Sequence, residues 1–286
     1  MPELRCDLHT HSTNSDGVLT PSELVRKAAA AGIDCLALSD HDTTSGVREA
    51  EEDAGLCGIQ VIPAVELSCG EDGETHILGY GDRPDATPLL RLFEKRKQDR
   101  IERFYQMAGK LKALGFPLDE EAILHTAGES VGRPHLARAL VSAGYFQDTT
   151  EVFDRLLGND RPAYVPQDLL HVEDALLILT ASGFVPILAH PSLLPDTEDS
   201  LLRKIDAWLE RGLAGIEVYH PANGEKQGFS YYRKISEDRR LLITGGSDYH
   251  DDQSHAPLGS TADAWFSAKE DVAALRENIQ KLNERL

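Results

Sequence analysis

The chain has 286 residues, 41% of them hydrophobic, and sets 48 acidic side chains against 29 basic ones for a formal net charge of -19. That length builds one large domain with a sizeable core, and so acidic a surface excludes a protein that coats long nucleic acid, which needs Lys and Arg against the phosphates. No apolar run approaches the ~20 residues of a membrane span and the N-terminus lacks a signal-peptide pattern, so a cytoplasmic protein with no membrane partner is expected.

The first element is a strand-like run, Cys6-Asp7-Leu8-His9-Thr10-His11. Side chains at i and i+2 of a strand share a face, so Asp7, His9 and His11 project together and the two imidazoles can grip one metal ion. Thr20-Pro21-Ser22-Glu23 is a capping box with Pro at the first helical position, opening a helix that closes at Gly32. Cys35-Leu36-Ala37-Leu38 then leads into Ser39-Asp40-His41-Asp42, a helix is predicted from Ser45 to Leu56 with Gly58 closing it, and Val61 to Val65 leads into Glu66. The four cysteines, Cys6, Cys35, Cys57 and Cys69, show no CxxC spacing and are expected to be reduced.

The rhythm breaks between His76 and His190, which 113 residues (77 to 189) separate, whereas a β-helix-β unit needs roughly 30. Residues of about 88 to 170 read as mostly helical, with helices predicted over Leu89 to Leu114, Pro134 to Ser142 and Thr150 to Leu157. Beyond them, helices over Val172 to Ser182 and Ser200 to Arg211 alternate with apolar runs. Val185 to Ala189 ends at His190, Gly215 to Tyr219 at His220, and Leu241 to Thr244 at Gly245-Gly246-Ser247-Asp248-Tyr249-His250. Such alternation favours a parallel sheet, and ligand-type residues at strand C-termini are where a (β/α) barrel gathers its active site. A single histidine such as His76 is more often structural than a ligand; the joint recurrence of these clusters reverses that. His125, His171 and His255 lack such context.

The series His9-Thr10-His11, Asp16-Gly17, Ser39-Asp40-His41-Asp42, Glu66, His76, Ala189-His190-Pro191 and Gly246-Ser247-Asp248-Tyr249-His250 resembles the PHP family, named for polymerase and histidinol phosphatase. The resemblance runs nearly end to end, and it is strongest to the stand-alone bacterial branch of nucleoside 3′,5′-bisphosphate phosphatases and 5′-to-3′ exoribonucleases. It implies an α/β fold, a distorted (β/α)7 TIM-like barrel over residues 1–87 and 171–286, with 88–170 as a helical insertion that helps bind substrate. It also implies three divalent ions. One would be held by His9, His11, Glu66 and Asp248, a second by Glu66, His76 and His190, and a third by Asp16, His41 and His250. That donor mixture suits manganese, iron or zinc, and Asp7 and Asp40 are expected to orient the imidazoles beside them.

The implied function is a metal-dependent phosphoesterase acting on a phosphate monoester of a small nucleotide, with hydroxide attacking phosphorus directly. Glu66 and Asp248 would be catalytic; His220 is read from its place at a strand end, not from the resemblance, as a rim residue or proton donor. No Ser or Cys stands in a motif for covalent catalysis. Arg133 and His135, in Gly132-Arg133-Pro134-His135, are expected at the substrate because an Arg beside a helix N-terminus suits phosphate. Lys97 and Arg100 are expected to extend an apolar stripe toward the barrel mouth. Alternatives are a 5′-3′ exonuclease on short RNA, a histidinol phosphate phosphatase and an inactive structural module, against which the filled ligand positions argue.

Overall fold

The computed structural model describes residues 4–70, 75–167, 169–252, 256–259 and 269–286. Strand β1 (Cys6–Thr10) is buried throughout, as a strand covered on both faces must be. Helix α1 (Pro21–Ala30) starts at the capping box: Thr20 Oγ1 accepts from Glu23 N at 3.2 Å and Glu23 Oε2 accepts from Thr20 N at 2.9 Å. Strand β2 (Cys35–Leu38) and helix α2 (Val47–Cys57) follow, the helix ending at Gly58 in the left-handed region. Strand β3 (Gln60–Cys69) runs well past Glu66, and β4 (Thr75–Tyr80) returns beside it.

The insertion consists of α3 (Thr87–Ala113), α4 (Glu120–Thr126), α5 (Arg133–Ser142) and α6 (Thr149–Val152), the last running into a π-helical turn at Phe153–Leu157. Phe104, Met107, Leu111, Leu136, Leu140 and Val152 form a core of their own there. Then come α7 (Val172–Ala181), β5 (Val185–Leu188), α8 (Glu198–Leu209), β6 (Gly215–Tyr219), α9 (Pro221–Glu225), α10 (Phe229–Arg239), β7 (Leu242–Gly245) and α11 (Lys269–Asn283). No helix among the described residues is long and apolar enough to cross a membrane. All four cysteines are free thiols.

The seven strands form one sheet in chain order. Neighbours are parallel except at β4, which is antiparallel to both β3 and β5. This corrects the expectation of a wholly parallel sheet. Only residues 70–74 join β3 to β4, whereas a parallel pair needs a crossover of a dozen or more residues. The sheet curls into a distorted TIM-like barrel, its ends meeting where Asp248 N donates to His9 O at 2.9 Å and His11 N donates to Tyr249 O at 3.0 Å. Gly246 permits that closure, because a Cβ there would stand 2.3 Å from His9 Cβ.

Helix α3 spans barrel and insertion with one buried stripe: Leu89, Phe93, Arg96, Arg100, Phe104, Met107 and Leu111, the i, i+3, i+4 spacing of a single helix face. Two arginines lie on it. Arg96 Nη2 donates to Ser68 O at 2.9 Å, and Arg100 donates to Asp42 Oδ2 through Nε at 3.0 Å and through Nη2. Burial would raise the Asp42 carboxyl, but the Arg100 and Arg96 guanidinium groups hold it below its ordinary value of 3.8. Deleting one partner of a buried pair strands the other, so Arg100→Met should cost about 3–5 kcal/mol in urea unfolding at pH 7, and the double change with Asp42→Asn should recover most of it. Because the folded Asp42 value lies below the unfolded one, the pair's stabilisation is complete above 3.8 and disappears as pH falls through the folded value. The gap between wild type and the double variant should therefore hold steady from neutral pH down to that point and narrow below it.

Candidate metal centre

The barrel rim collects side chains from every strand. β1 supplies His9 and, one residue past its end, His11; the segment after β2 supplies His41; β3 supplies Glu66; β5, β6 and β7 are followed by His190, His220, Asp248 and His250. β4 contributes from its start, because its reversal puts His76 rather than its C-terminus at the same rim. His76 pairs with Ser68, so it is the diagonal neighbour of Glu66 on one face of the hairpin.

Glu66 is the point of convergence. Its Oε2 lies 3.2 Å from His9 Nε2, 3.2 Å from His11 Nε2 and 3.2 Å from His41 Nδ1. Its Oε1 lies 2.8 Å from His76 Nδ1 and 3.0 Å from His190 Nε2. Asp248 Oδ1 stands 3.2 Å from His9 Nε2 and 3.1 Å from His11 Nε2, while Asp16 Oδ1 stands 3.1 Å from His250 Nε2. Three overlapping donor sets result: His9, His11, Glu66 and Asp248; His41, Glu66 and His76; and His11, Asp16, His41 and His250. Eight of the nine residues expected as ligands fall in these sets; His190, expected beside Glu66 and His76, lies outside them at 3.0 Å from Glu66 Oε1, and His41 stands in its place. His41 and His11 each belong to two sets, a sharing that the sequence reading did not anticipate.

Two donors bound about 2.1 Å from one ion at angles near 90–110° are separated by about 3.0–3.4 Å, which matches the spacing around Glu66 Oε2 and Asp248 Oδ1. His9 Nε2, both ring nitrogens of His11, His41 Nδ1, Asp16 Oδ1 and Asp248 Oδ1 are buried without a hydrogen-bond partner. Native structures seldom tolerate so many orphaned polar atoms in one place, and divalent cations would satisfy the carboxylate oxygens and one nitrogen of each ring.

The electrostatics point the same way. Burial raises the Glu66 carboxyl, but His76, His9 and His41 around it hold it well below its ordinary 4.5. Burial lowers His11, yet the Asp248 and Glu66 carboxylates beside it outweigh that and raise the ring from 6.5 to about 10. Burial takes His41, whose ring lies 4.7 Å from that of His11, down to about 3. The carboxylates thus prevail over burial at His11, and burial prevails at His41.

The two outer carboxylates act differently from expectation. Asp7 accepts from Ser247 N at 2.9 Å, Ser247 Oγ at 2.6 Å and Gly259 N at 2.8 Å, and Asp40 from Ser12 N at 2.7 Å, Ser12 Oγ at 2.7 Å and Ser15 Oγ at 2.6 Å. Both anchor the backbone of ligand-bearing loops; neither hydrogen-bonds an imidazole. Glu217, inside the apolar run of β6, does face His9, and its only sequence signal was a carboxylate in the middle of a buried strand.

Beside the cluster lies a cavity of about 240 Å³, lined on one side by Asp16, His41 and His76 and on the other by Arg100, Arg103, Arg133, Phe153 and Tyr164. The guanidinium carbons of Arg103 and Arg133 each lie 5.6 Å from the Tyr164 ring centre. Burial, with Arg133 and Arg100 nearby, brings Arg103 down from 12.5 to about 10. Of the expected substrate residues, Arg133 and Arg100 line this cavity. Lys97 does not: it sits one step off the buried stripe, paired with Glu129 at 2.6 Å. His135 does not either; its Nδ1 accepts from Gly132 N at 3.1 Å and caps α5. Arg103 was passed over, although 96, 100 and 103 follow helical spacing and 97 does not.

Loading the cluster must displace the proton on His11, because a ligating imidazole nitrogen carries none. Zinc titration at pH 7 by calorimetry in two buffers of different ionisation heat should show net proton release, with affinity rising as pH rises toward about 10. Binding without proton release would contradict this account of the cluster.

The PHP domain model matches residues 7–160. The chain is 38% identical over 258 residues to a 5′-3′ exoribonuclease of Haemophilus influenzae, covering 90% of this chain and 94% of that protein. It is 34% identical over 249 residues to a 3′,5′-nucleoside bisphosphate phosphatase of Chromobacterium violaceum, covering 85% and 86%. Its fold superimposes with a TM-score of 0.83 on the solved structure of an amidohydrolase from Chromobacterium violaceum with bound sulfate and no metal, 32% identical over 91% of each chain. The rim cluster, the barrel that builds it and these likenesses agree: the chain belongs to the PHP domain family of metal-dependent phosphoesterases, hydrolases of phosphoester bonds.

Proposed function

We propose that the protein removes a phosphate monoester from a small nucleotide, foremost a nucleoside 3′,5′-bisphosphate. The observation that carries this reading is a cavity lined both by Asp16, His41 and His76 of the imidazole-carboxylate cluster and by three arginines with two aromatic rings. The reacting phosphate sits against the cluster and the second phosphate against Arg133 and Arg103, whose fork geometry suits phosphate oxygens. Tyr164 and Phe153 offer faces to the base. A cavity of about 240 Å³ falls near the lower edge of ligand sites, roughly 300 Å³, so it has no room for a duplex. In this reading residues 88–170 are a substrate-gripping insertion, and the protein works in the cytoplasm, in keeping with its free thiols.

Three ions, drawn from manganese, iron and zinc, fit the donors: His9, His11, Glu66 and Asp248 for one; Glu66, His76 and His190 for the second; Asp16, His41 and His250 for the third. Divalent ions in such a site supply water activation, substrate orientation and neutralisation of phosphoryl charge. The chain's own residues do the rest. Glu66 and Asp248 fix the donor geometry at the barrel rim, and Arg133, held by Asn159 Oδ1 at 3.0 Å and Leu157 O at 3.3 Å, orients the distal phosphate. His220 Nδ1 accepts from Ala222 N at 3.2 Å, which leaves Nε2, 3.5 Å from Asp248 Oδ2, as the ring nitrogen that would carry the donated proton.

The second reading, 5′-3′ exonuclease action on short RNA, is supported by the 38% identity to an exoribonuclease, and a terminal 5′-phosphate fills the same arginine wall. The test is phosphate release from adenosine 3′,5′-bisphosphate by manganese-loaded protein, beside a short 5′-phosphorylated RNA. Release from the bisphosphate that Glu66→Ala abolishes is the expected result; cleavage of RNA alone would transfer the assignment to the exonuclease, and inertness toward both would end the nucleotide reading. Arg133→Ala removes a charged hydrogen-bond partner worth about 1.5–3 kcal/mol and should raise KM at least tenfold with kcat nearly kept. His220→Ala should lower kcat by about 10²–10⁴-fold, and a normal kcat would remove His220 from the mechanism.

A further inference from the structure

Glu217 belongs to none of the three donor sets, yet it is a fully buried carboxylate among them. Its Oε1 accepts from His9 Nδ1 at 2.9 Å and its Oε2 from the backbone N of His190 at 2.8 Å. Asn223 braces this arrangement from behind: its Nδ2 donates to Glu217 O at 2.8 Å and to Val218 O at 3.1 Å, and its Oδ1 accepts from Ser192 N at 3.1 Å.

An ionised carboxylate only accepts hydrogen bonds, so it selects the Nδ1-H form of His9. The lone pair then lies on Nε2, the atom 3.2 Å from both Glu66 Oε2 and Asp248 Oδ1. The other oxygen grips His190, which adopts φ 25° and ψ 59°, a backbone region that persists only where surrounding contacts enforce it. His9 and His190 belong to different proposed ions, and Glu66 bridges them. We infer that Glu217 is a positioning residue for both, setting the ligating tautomer of His9 and the strained backbone of His190 with one carboxylate. The inference rests on the metal-centre reading above.

Glutamine cannot take its place. Both partners donate, whereas an amide offers one acceptor and one donor. In Glu217→Gln either His9 reverses to the Nε2-H form, which cannot ligate, or His190 N loses its partner. A carboxylate that merely filled the core would affect folding and leave ion binding alone.

The experiment is zinc binding by wild type and Glu217→Gln in competition with a chromogenic chelator, with thermal melting of both proteins stripped of metal. The variant should bind its tightest zinc 10–100-fold more weakly, the effect typical of losing a partner of a metal-ligating histidine, beyond any shift in the melting of the stripped form. Equal affinities would overturn the inference and leave the metal centre standing; a wild type that takes up no zinc would remove the metal centre and the inference together. Long-range ¹H–¹⁵N spectra of zinc-loaded wild type give a second measure that does not depend on the variant folding. They should show His9 protonated at Nδ1, and ligation through Nδ1 instead would overturn the assignment.

Discussion

A single buried carboxylate dictates the layout of this protein. Glu66 has five imidazole nitrogens within 3.2 Å, three against Oε2 and two against Oε1. An ionised carboxylate is costly to bury unless its lone pairs are met, so the chain must deliver those rings from β1, β2, β4 and β5 to one point. That requirement makes sense of the odd strand. Had β4 run parallel, its N-terminus would have pointed to the far end of the barrel, and His76 with it. Reversal through a short connection keeps both ends of the β3-β4 hairpin at the rim, and the diagonal register places His76 Nδ1 on Glu66 Oε1.

Holding so many polar groups together costs backbone freedom. Asp42, His190 and Asp248 all have positive φ without being glycine, and each lies in or beside the cluster, where strain tends to gather. What holds them is a shell of carboxylates that act only as acceptors. Asp7 binds the loop after β7, Asp40 the loop after β1, Asp42 the helix α3 through Arg100, and Glu217 the turn after β5. The apolar cores on either side of the sheet supply the stability against which this strain is held: Leu8, Ala64 and Ile187 lie in one, Val65, Leu67 and Ile216 in another.

Much of this was legible in the sequence, for a physical reason. Several candidate ligands follow apolar runs at strand ends, and a period of two separates His9 from Leu8, so those strands and candidates could be read together, while Asp16 and His76 entered only through the resemblance to the PHP family. Helices with strong punctuation were also legible: the capping box at Thr20 and Gly58 past α2 mark ends that sequence alone places. What escaped depended on tertiary context. β4 has the same apolar character as a parallel strand, and nothing local declares its direction. α10 is a charged helix without a side-chain N-cap, and only packing against the sheet reveals it. Glu217 reads as one polar residue in an apolar run, and its meaning lies 208 positions away at His9. Lys97 and Arg100 share the spacing of the apolar stripe, and only the packed helix separates them: Arg100 turns inward, and Lys97 turns to Glu129.

The contrast between a net charge of -19 and a cavity walled by three arginines is a division of labour by distance. Charges on the exposed faces are screened beyond about 8 Å at physiological salt, so they repel a long polyanion that must lie along the surface more than a small one that crosses it. Inside the cavity the dielectric is lower and screening weaker, and Arg103 and Arg133 face the same Tyr164 ring, two like charges that only an anion between them relieves. Burial draws the Arg103 value down toward about 10, so a buried anion beside it would favour its charged form. The same holds across the cavity, where orphaned nitrogens and carboxylate oxygens lack cations. Each wall thus carries charge that the other half of a phosphate ester and its ions would complete, and selectivity for a small phosphorylated molecule follows from the distance over which those incomplete charges act.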